Sequence, residues 1–129
     1  MMPTLRAGDY IFTRALRAEE PLKRGMIVLV ADTPAEKEMP SIKRIAGLPG
    51  ETIAFFRGML IADGKAVPYP VKTNLNIPQV QIAPDSVYLL GDNPAESDDS
   101  RLFGALPRKN IIELVLSVYW PPHHWQNLV

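Results

Sequence analysis

Two polar stretches contain residue types that catalysis requires, and the first is SIKRIAGLPGE. It places Lys43 and Arg44 within an otherwise apolar run that has the composition of a β-strand. Successive side chains of a strand alternate between its faces, so one of the two cations must point toward the core. Burial disfavours an ammonium ion, which lowers the pKa of a lysine and makes its neutral amine available as a general base. A lysine that snorkels from an edge strand is the alternative, and this stretch alone favours it.

The second stretch is LLGDNPAESDDSRLFG, which concentrates acidic residues and serines after an apolar run. A solvated acidic loop is the plain interpretation. A cation held by Asp92, Asp98 and Asp99 is an alternative, although the spacing does not fit the calcium loop, which alternates its ligands and closes with a glutamate. By itself, this stretch is more typical of a turn than of a site.

A nucleophilic serine must lie within hydrogen-bond reach of its base. Ser41 precedes Lys43 by two residues on the same strand face, where it is poorly aimed for attack on a carbonyl group. Ser97 and Ser100, in the acidic loop, are better placed as orienting groups than as nucleophiles. No serine of the sequence is therefore predicted to be the nucleophile.

The C-terminal stretch YWPPHHWQNLV contains the two histidines of the chain, His123 and His124. Adjacent histidines rarely chelate one ion, and no third ligand is spaced nearby, so the predicted role is surface packing. Trp120 and Trp125 have amphipathic rings that are favoured at a membrane interface, which is an alternative for this segment.

The elements that must position these residues are predicted to be short strands. Each apolar run is rich in β-branched and aromatic residues and is bounded by glycine, proline or aspartate. The predicted strands are 10–14, 26–31, 42–46, 52–56, 59–62 and 87–90. Asp63-Gly64 is a two-residue hairpin signal, residues 68–84 are predicted to be an irregular or edge excursion, and residues 111–119 could form a helix or a last strand. The fold class is mainly β with little helix.

Bulk composition limits the possible functions. The chain has 129 residues, enough for one domain, and its 14 lysines and arginines balance 14 aspartates and glutamates. This balance gives no global field that would draw the protein to nucleic acid. The chain has no cysteine, which excludes disulfides and a cysteine nucleophile. Its longest apolar runs are far shorter than the ~20 residues that a membrane-spanning helix needs.

Three motifs, in this order, resemble those of the bacterial type I signal peptidases, which are Ser/Lys membrane proteases. In that family a nucleophilic serine is followed by Met-x-Pro-Thr-Leu and then by Gly-Asp, which matches MMPTLRAGDY. The family's Lys-Arg-x-x-Gly-x-Pro-Gly-acid box matches residues 43–51. Its Gly-Asp-Asn-x-x-x-Ser-x-Asp-Ser-Arg box matches residues 91–101. The motifs cover most of the chain, which makes the resemblance specific.

The resemblance implies roles for individual residues. Lys43 would be the general base and Ser97 would aim its amine, while Asp99 and Arg101 would form an ion pair that holds the loop. Asp92 and Ser100 would support the site from the same motif. Three further residues, whose assignment depends on backbone geometry, would line small pockets for alanine-like side chains at the cleavage site: Met1, Leu5 and Ile42. The substrate would bind as an added strand along the strand that leads into Lys43.

The same resemblance gives expectations for the whole chain. The family's nucleophile would fall directly before Met1, so the sequence is expected to be truncated after its serine, to lack the upstream membrane anchor, and to be inactive as given. Residues 1–129 are expected to form one minimal antiparallel β catalytic core without the large inserted β domain of some members. The expected partners are signal peptides of exported preproteins and the membrane surface, on the outer face of the cytoplasmic membrane. No cofactor, metal or nucleic acid is expected.

Two other functions remain open at this point. A pseudoprotease would keep the fold and bind signal-peptide-like segments without cutting them. A self-cleaving repressor-type Ser/Lys protease would share the chemistry, but it would also need a DNA-binding arm, and the sequence gives no signal for one.

Overall fold

The computed structural model describes residues 1–129, and almost all of its regular structure is β-strand. The strands are β1 (Tyr10–Ala15), β2 (Ile27–Val30), β3 (Ser41–Gly47), β4 (Thr52–Phe56), β5 (Met59–Ala62), β6 (Lys65–Val67), β7 (Ile77–Gln81), β8 (Ser86–Leu90), β9 (Leu106–Pro107), β10 (Ile111–Trp120) and β11 (Gln126–Asn127). The helical elements are α1 (Ser100–Phe103) and the 3₁₀ turns Pro94–Glu96, Arg108–Asn110 and Pro122–His124. None of them has the length and apolar character to cross a bilayer. The predicted mainly β class is confirmed.

Two antiparallel sheets organise the chain. The large sheet has the order β1-β10-β2-β3-β8-β9, and β11 also pairs with β10. The small sheet has the order β6-β5-β4-β7. The chain enters the small sheet after β3 and returns to the large sheet at β8, so the two polar stretches lie on neighbouring strands of the large sheet although they are distant in sequence.

Local chemistry accounts for the small sheet. Its strands β4 and β5 cover the residues that the sequence predicted, and the turn residues Asp63 and Gly64 have φ of 49° and 83°, as a tight two-residue hairpin requires. The proline-rich excursion contains β7, which is an edge strand and can therefore tolerate Pro78.

The ambiguous run near the C-terminus is a strand, β10, rather than a helix. Leu114, Val115 and Val118 are buried along it, and it pairs with β1 on one side and with β2 and β11 on the other. The tertiary pairing resolves what the local composition left open.

Apolar side chains join the two sheets. Ala46, Tyr88 and Leu90 of the large sheet pack in one cluster with buried residues of the small sheet, among them Ile53 and Leu60. A second cluster lies within the large sheet around Ile45 and Leu89. β3 and β8 contribute to both clusters, so the strands that carry the polar site are fixed from two directions.

The segment that precedes β1 is also ordered. The amide of Leu5 donates to the carbonyl of Met1 at 3.1 Å, and the Leu5 side chain is buried against Ile27, Val115 and Val118. This contact places the first residues of the chain against β2 and β10 of the large sheet.

Candidate active site

Lys43 lies in the middle of β3, within the large sheet, and its Nζ atom donates a hydrogen bond to Ser97 Oγ at 3.2 Å. A lysine that snorkels into solvent does not describe this side chain, because its amine is half-buried and bonded to Ser97. Burial lowers the pKa of Lys43, while the carboxylates of Asp99 and Asp98 act against this shift. The amine is therefore biased toward the neutral form that accepts a proton.

The acidic loop folds around one ion pair. Arg101 Nε lies 2.8 Å from Asp99 Oδ1, and the Asp99 side chain is only 1% exposed. Asp99 also accepts from the amide of Gly91 at 3.1 Å, and Arg101 donates to the carbonyl of Pro94 at 2.8 Å. These bonds fix the loop on both sides of Ser97 and hold its hydroxyl over Lys43.

Gly91 lies where Ser97 crosses the end of β8. A Cβ atom at this position would lie 2.1 Å from Ser97 Oγ and 3.9 Å from Lys43 Nζ. No side chain fits there, so glycine is what allows the serine to approach the lysine.

A second buried ion pair lies beside the first. Arg44 donates to Asp92 through Nε at 2.8 Å and through Nη2 at 2.7 Å. The Asp92 side chain is fully buried. Arg44 also donates to the carbonyl of Gly25 at 2.8 Å, and Thr4 Oγ1 donates to Asp92 at 2.5 Å. This network ties the N-terminal segment to β3 and to the loop after β8.

The same contacts correct the alternative of a cation bound by Asp92, Asp98 and Asp99. Asp92 and Asp99 are each occupied by an arginine, and the structure contains no group of three or more acidic or histidine side chains that could hold a metal ion. Asp98 is exposed. The role of Thr4 was missed, because the bond to Asp92 spans 88 residues and no local pattern reveals it.

Met1, Leu5 and Ile42, which the sequence analysis assigned to substrate pockets, belong to one apolar cluster. Leu5 is buried, and Met1 and Ile42 pack against its cluster. The pKa of the Met1 amino group is lowered, first by partial burial and then by the nearby charge of Lys43. The start of the chain is thus beside the lysine.

The edge of β3 that approaches Lys43 is partly unpaired. β2 pairs with Ser41 to Arg44, whereas β8 pairs with β3 only from Arg44 onward. The backbone groups of residues 41–43 on the β8 side have no strand partner. An extended chain could pair there as an added strand and would bring its backbone next to Lys43.

Three residues that the sequence analysis considered, Ser100, His123 and His124, take no part in the contact between Lys43 and Ser97. Ser100 Oγ accepts from the amide of Leu89 at 2.9 Å, which attaches α1 to β8. His123 is exposed. His124 has Nδ1 2.7 Å from Asp9 Oδ2, so surface packing does not describe it. Because His123 and His124 are the same residue type, the sequence could not distinguish the exposed one from the one that contacts Asp9.

The arrangement can perform general base chemistry beside a bound extended peptide. It provides an amine with a lowered pKa, a hydroxyl that orients the amine, and a strand edge for the peptide.

The family described as "Signal peptidase, peptidase S26" matches residues 1–120 of the chain. Signal peptidase I of Leptolyngbya laminosa is 35% identical over 135 residues, covering 94% of this chain and 64% of that protein. Signal peptidase I of Bacillus caldolyticus is 33% identical and is covered to 75% of its length, with 94% of this chain aligned. Mitochondrial inner membrane protease subunit 1 of Schizosaccharomyces pombe is 32% identical, with 98% of this chain and 72% of that protein aligned.

The crystal structure of a signal peptidase I from Enterococcus faecalis V583 has a similar fold. The TM-score is 0.59 at 24% sequence identity, and the superposition covers 71% of this chain and 94% of that one. The antiparallel β architecture is therefore shared with that structure.

Proposed function

The chain belongs to the peptidase S26 family of signal peptidases, and we propose that it is the catalytic core of a serine endopeptidase that removes signal peptides from exported preproteins. The observation that carries this proposal is the half-buried Lys43 amine, 3.2 Å from Ser97 Oγ and next to an unpaired strand edge. We propose that residues 1–129 act as one unit, and the apolar cluster that joins the two sheets supports this.

Lys43 is proposed to be the general base. Its burial favours the neutral amine, and donation to Ser97 fixes one N–H direction, which leaves only two directions open to the lone pair. In the family's motif the nucleophilic serine occupies the position directly before Met1. The Met1 amino group lies near enough to Lys43 for the lysine charge to lower its pKa, after the larger effect of burial, which supports a place for the preceding residue beside the lysine.

The proposed reaction follows from these positions. Lys43 takes the hydroxyl proton of the serine as its oxygen attacks the scissile carbonyl carbon, and it returns that proton to the leaving amine when the C–N bond breaks. Water then attacks the acyl ester while Lys43 takes a proton from it, and Lys43 returns that proton to the serine oxygen as the ester bond breaks and the new carboxyl end leaves. Ser97 is a positioning residue in both halves of the reaction.

The substrate is proposed to be an extended segment that pairs with residues 41–43. Its side chains would alternate, and those that face the protein would meet the small apolar surface formed by Met1, Leu5 and Ile42. Such a surface suits alanine-like side chains. Main-chain hydrogen bonds would supply affinity, and these pockets would supply specificity.

The membrane surface is proposed as the second partner, with the site on the outer face of the cytoplasmic membrane. Aromatic side chains are exposed along β1 and the end of β10, where the rings of Phe12 and Tyr119 lie 4.3 Å apart. Trp120 is 53% exposed and Trp125 is 66% exposed. Tryptophan and tyrosine are favoured at lipid headgroups, so this face suits a membrane interface.

Cleavage of a defined substrate tests the proposed function. The protein would carry a serine directly before Met1 and would be given a preprotein segment with alanines at the cleavage site. We expect one cut, which mass spectrometry of the new N-terminus would locate after the alanine. The matched control carries alanine instead of the added serine and should not cut.

Binding without any cut by the serine form would overturn the proposal and favour the pseudoprotease. Cutting by the alanine control would show that the nucleophile is a different group.

A further inference from the structure

The C-terminal segment, residues 121–129, folds back onto the N-terminal segment, residues 1–9. β11 pairs with β10 through Gln126 and Val118, and the amide of Leu128 donates to the carbonyl of Leu116 at 2.8 Å. The Leu128 side chain packs against the cluster around Leu5. The two ends of the chain are therefore packed together at the end of the large sheet.

Gln126 bonds directly to the N-terminal segment. Its Nε2 atom donates to the carbonyl of Thr4 at 2.6 Å and lies 3.2 Å from Nε2 of His124. A carbonyl oxygen only accepts, which requires the amide nitrogen of Gln126 to face Thr4. The second hydrogen of the same NH₂ group then points to His124, so Nε2 of His124 is the acceptor and the ring proton is on Nδ1.

His124 continues the chain of contacts to Asp9. Nδ1 is sealed from solvent without a hydrogen bond of regular geometry, and its close polar contact is Asp9 Oδ2 at 2.7 Å. This contact is the main reason that the pKa of the Asp9 carboxyl lies below its usual value. Asp9 also accepts from the amide of Arg6 at 2.8 Å, which closes the turn before β1.

The two contacts hold the N-terminal segment at two points, Thr4 and Asp9. Thr4 is also the residue that bonds to Asp92, whose partner Arg44 is adjacent to Lys43. The C-terminal hydrogen bonds therefore reach the candidate active site through Thr4, and the segment they hold is the one that carries Met1.

We propose that His124 and Gln126 are positioning residues that keep the N-terminal segment, and with it the residue before Met1, in register with Lys43. This inference rests on the proposed function. A displacement of about 1 Å between reacting groups can lower a rate by about 10²-fold, so a loss of register would be seen in turnover. Substrate binding to the β3 edge should be affected less, because that edge makes none of these contacts.

Hydrogen exchange tests the contacts on the 129-residue chain itself, without any need for catalysis. The variants are His124→Leu and Gln126→Leu, with His123→Leu and Asn127→Leu as matched controls, since both control residues are exposed. We expect the amides of Leu5, Arg6 and Asp9 to exchange at least tenfold faster in the first pair only. Unchanged exchange at Ile53 and Phe55 would show that the fold is intact.

Turnover tests the consequence, in the form with serine before Met1. We expect kcat to fall about 10- to 100-fold in His124→Leu and Gln126→Leu, and KM to rise by a smaller factor, since Met1 and Leu5 lie on the held segment but the β3 edge does not. His124→Gln keeps one donor and one acceptor, so it should recover most of kcat. His123→Leu should match the parent.

Faster exchange with an unchanged kcat would overturn the proposal, because the contacts would then hold the segment without positioning the reaction. Unchanged exchange in His124→Leu and Gln126→Leu would also overturn it. Absence of cleavage in the parent would instead contradict the proposed function, and the exchange result would still decide whether the C-terminal contacts hold the segment.

Discussion

The two sheets of this molecule bury different types of residue. Every buried residue on the strands of the small sheet is apolar, as in Ile53 and Leu60. The large sheet and its loops bury Arg44, Asp92 and Asp99 beside an equally apolar core. Burying a charge is costly unless it is paired, and each of these charges is paired.

Because of this difference, we expect the residues that determine only stability to be distinct from those that determine the cleavage rate. The small sheet can be stabilised by any well-packed apolar set, whereas the large sheet fixes charges around one amine whose own partner is a neutral hydroxyl. Changes in the small sheet should therefore alter stability alone, and changes around Lys43 should alter rate. Four substitutions test that separation, and they are ordered from the largest expected effect to the smallest.

Lys43→Ala should reduce cleavage by the serine-extended form by about 10³-fold or more, because the general base is lost. The half-buried amine makes no ion pair, so the unfolding temperature should change little. Single-turnover cleavage and thermal unfolding measure the two quantities. The control is Lys65→Ala, which changes an exposed lysine on β6 of the small sheet and should alter neither quantity. Retained cleavage by Lys43→Ala would show that Lys43 is not the general base.

Asp92→Asn should lower the free energy of unfolding by about 3–5 kcal/mol, because Arg44 is left buried without a counter-charge. It should also reduce cleavage, since Thr4 loses its acceptor carboxylate. Leu60→Ala in the small sheet should cost a comparable ~2–5 kcal/mol through its cavity while kcat of the folded protein stays the same. Denaturant titration and kcat at a fully folding temperature separate the two variants, and a loss of kcat in Leu60→Ala would break the comparison.

Gly91→Ala should lower kcat about 10- to 100-fold, because its Cβ atom would displace Ser97 from Lys43. Gly58 offers the matched position in the small sheet: it has φ of 82°, and a Cβ atom there would lie 1.8 Å from the carbonyl oxygen of Thr73. Gly58→Ala should therefore lose stability and keep kcat. Equal kcat losses in the two variants would contradict a local effect of Gly91 on the amine.

Asp98→Asn should shift the acid limb of the pH–rate profile to lower pH. The Asp98 carboxylate favours the ammonium form and so raises the pKa of Lys43, and its removal lowers that pKa further. Because the base acts only when neutral, the rate below the midpoint should rise. The effect should be small, since solvent screens the exposed carboxylate. Glu96→Gln is the control, because this exposed residue of the same loop is not among the charges that shift the pKa of Lys43. A shift of the acid limb to higher pH in Asp98→Asn would contradict the assigned effect of Asp98.

The sequence predicted the small sheet better than the order of the large one. β4, β5 and their hairpin depend on alternation and on a turn that prefers Asp-Gly, which are local properties. The position of β10 between β1 and β2 depends on pairs such as Thr13 with Val115, and no local pattern specifies such a pair.

In the candidate site, too, the residues within local motifs were predicted, whereas the contacts between distant segments were not. Motif resemblance identified Lys43 and Ser97, and the structure brings them together. The bonds of Thr4 to Asp92 and of His124 to Asp9 were not predicted, because each joins segments that are far apart in the chain. His123 and His124 are the same residue type in the same stretch, and only the fold of the segment makes one exposed and the other enclosed.

The unpaired edge at residues 41–43 is also an aggregation hazard, since an edge that accepts a substrate can accept the same edge of a second copy. Three features restrain that self-association. The open stretch is only Ser41 to Lys43, Pro40 precedes it without an N–H donor, and pairing of two copies would oppose two Lys43 amines, which repel each other whenever both are protonated. The lysine proposed as the base would thus also protect the protein from precipitating through its own binding edge.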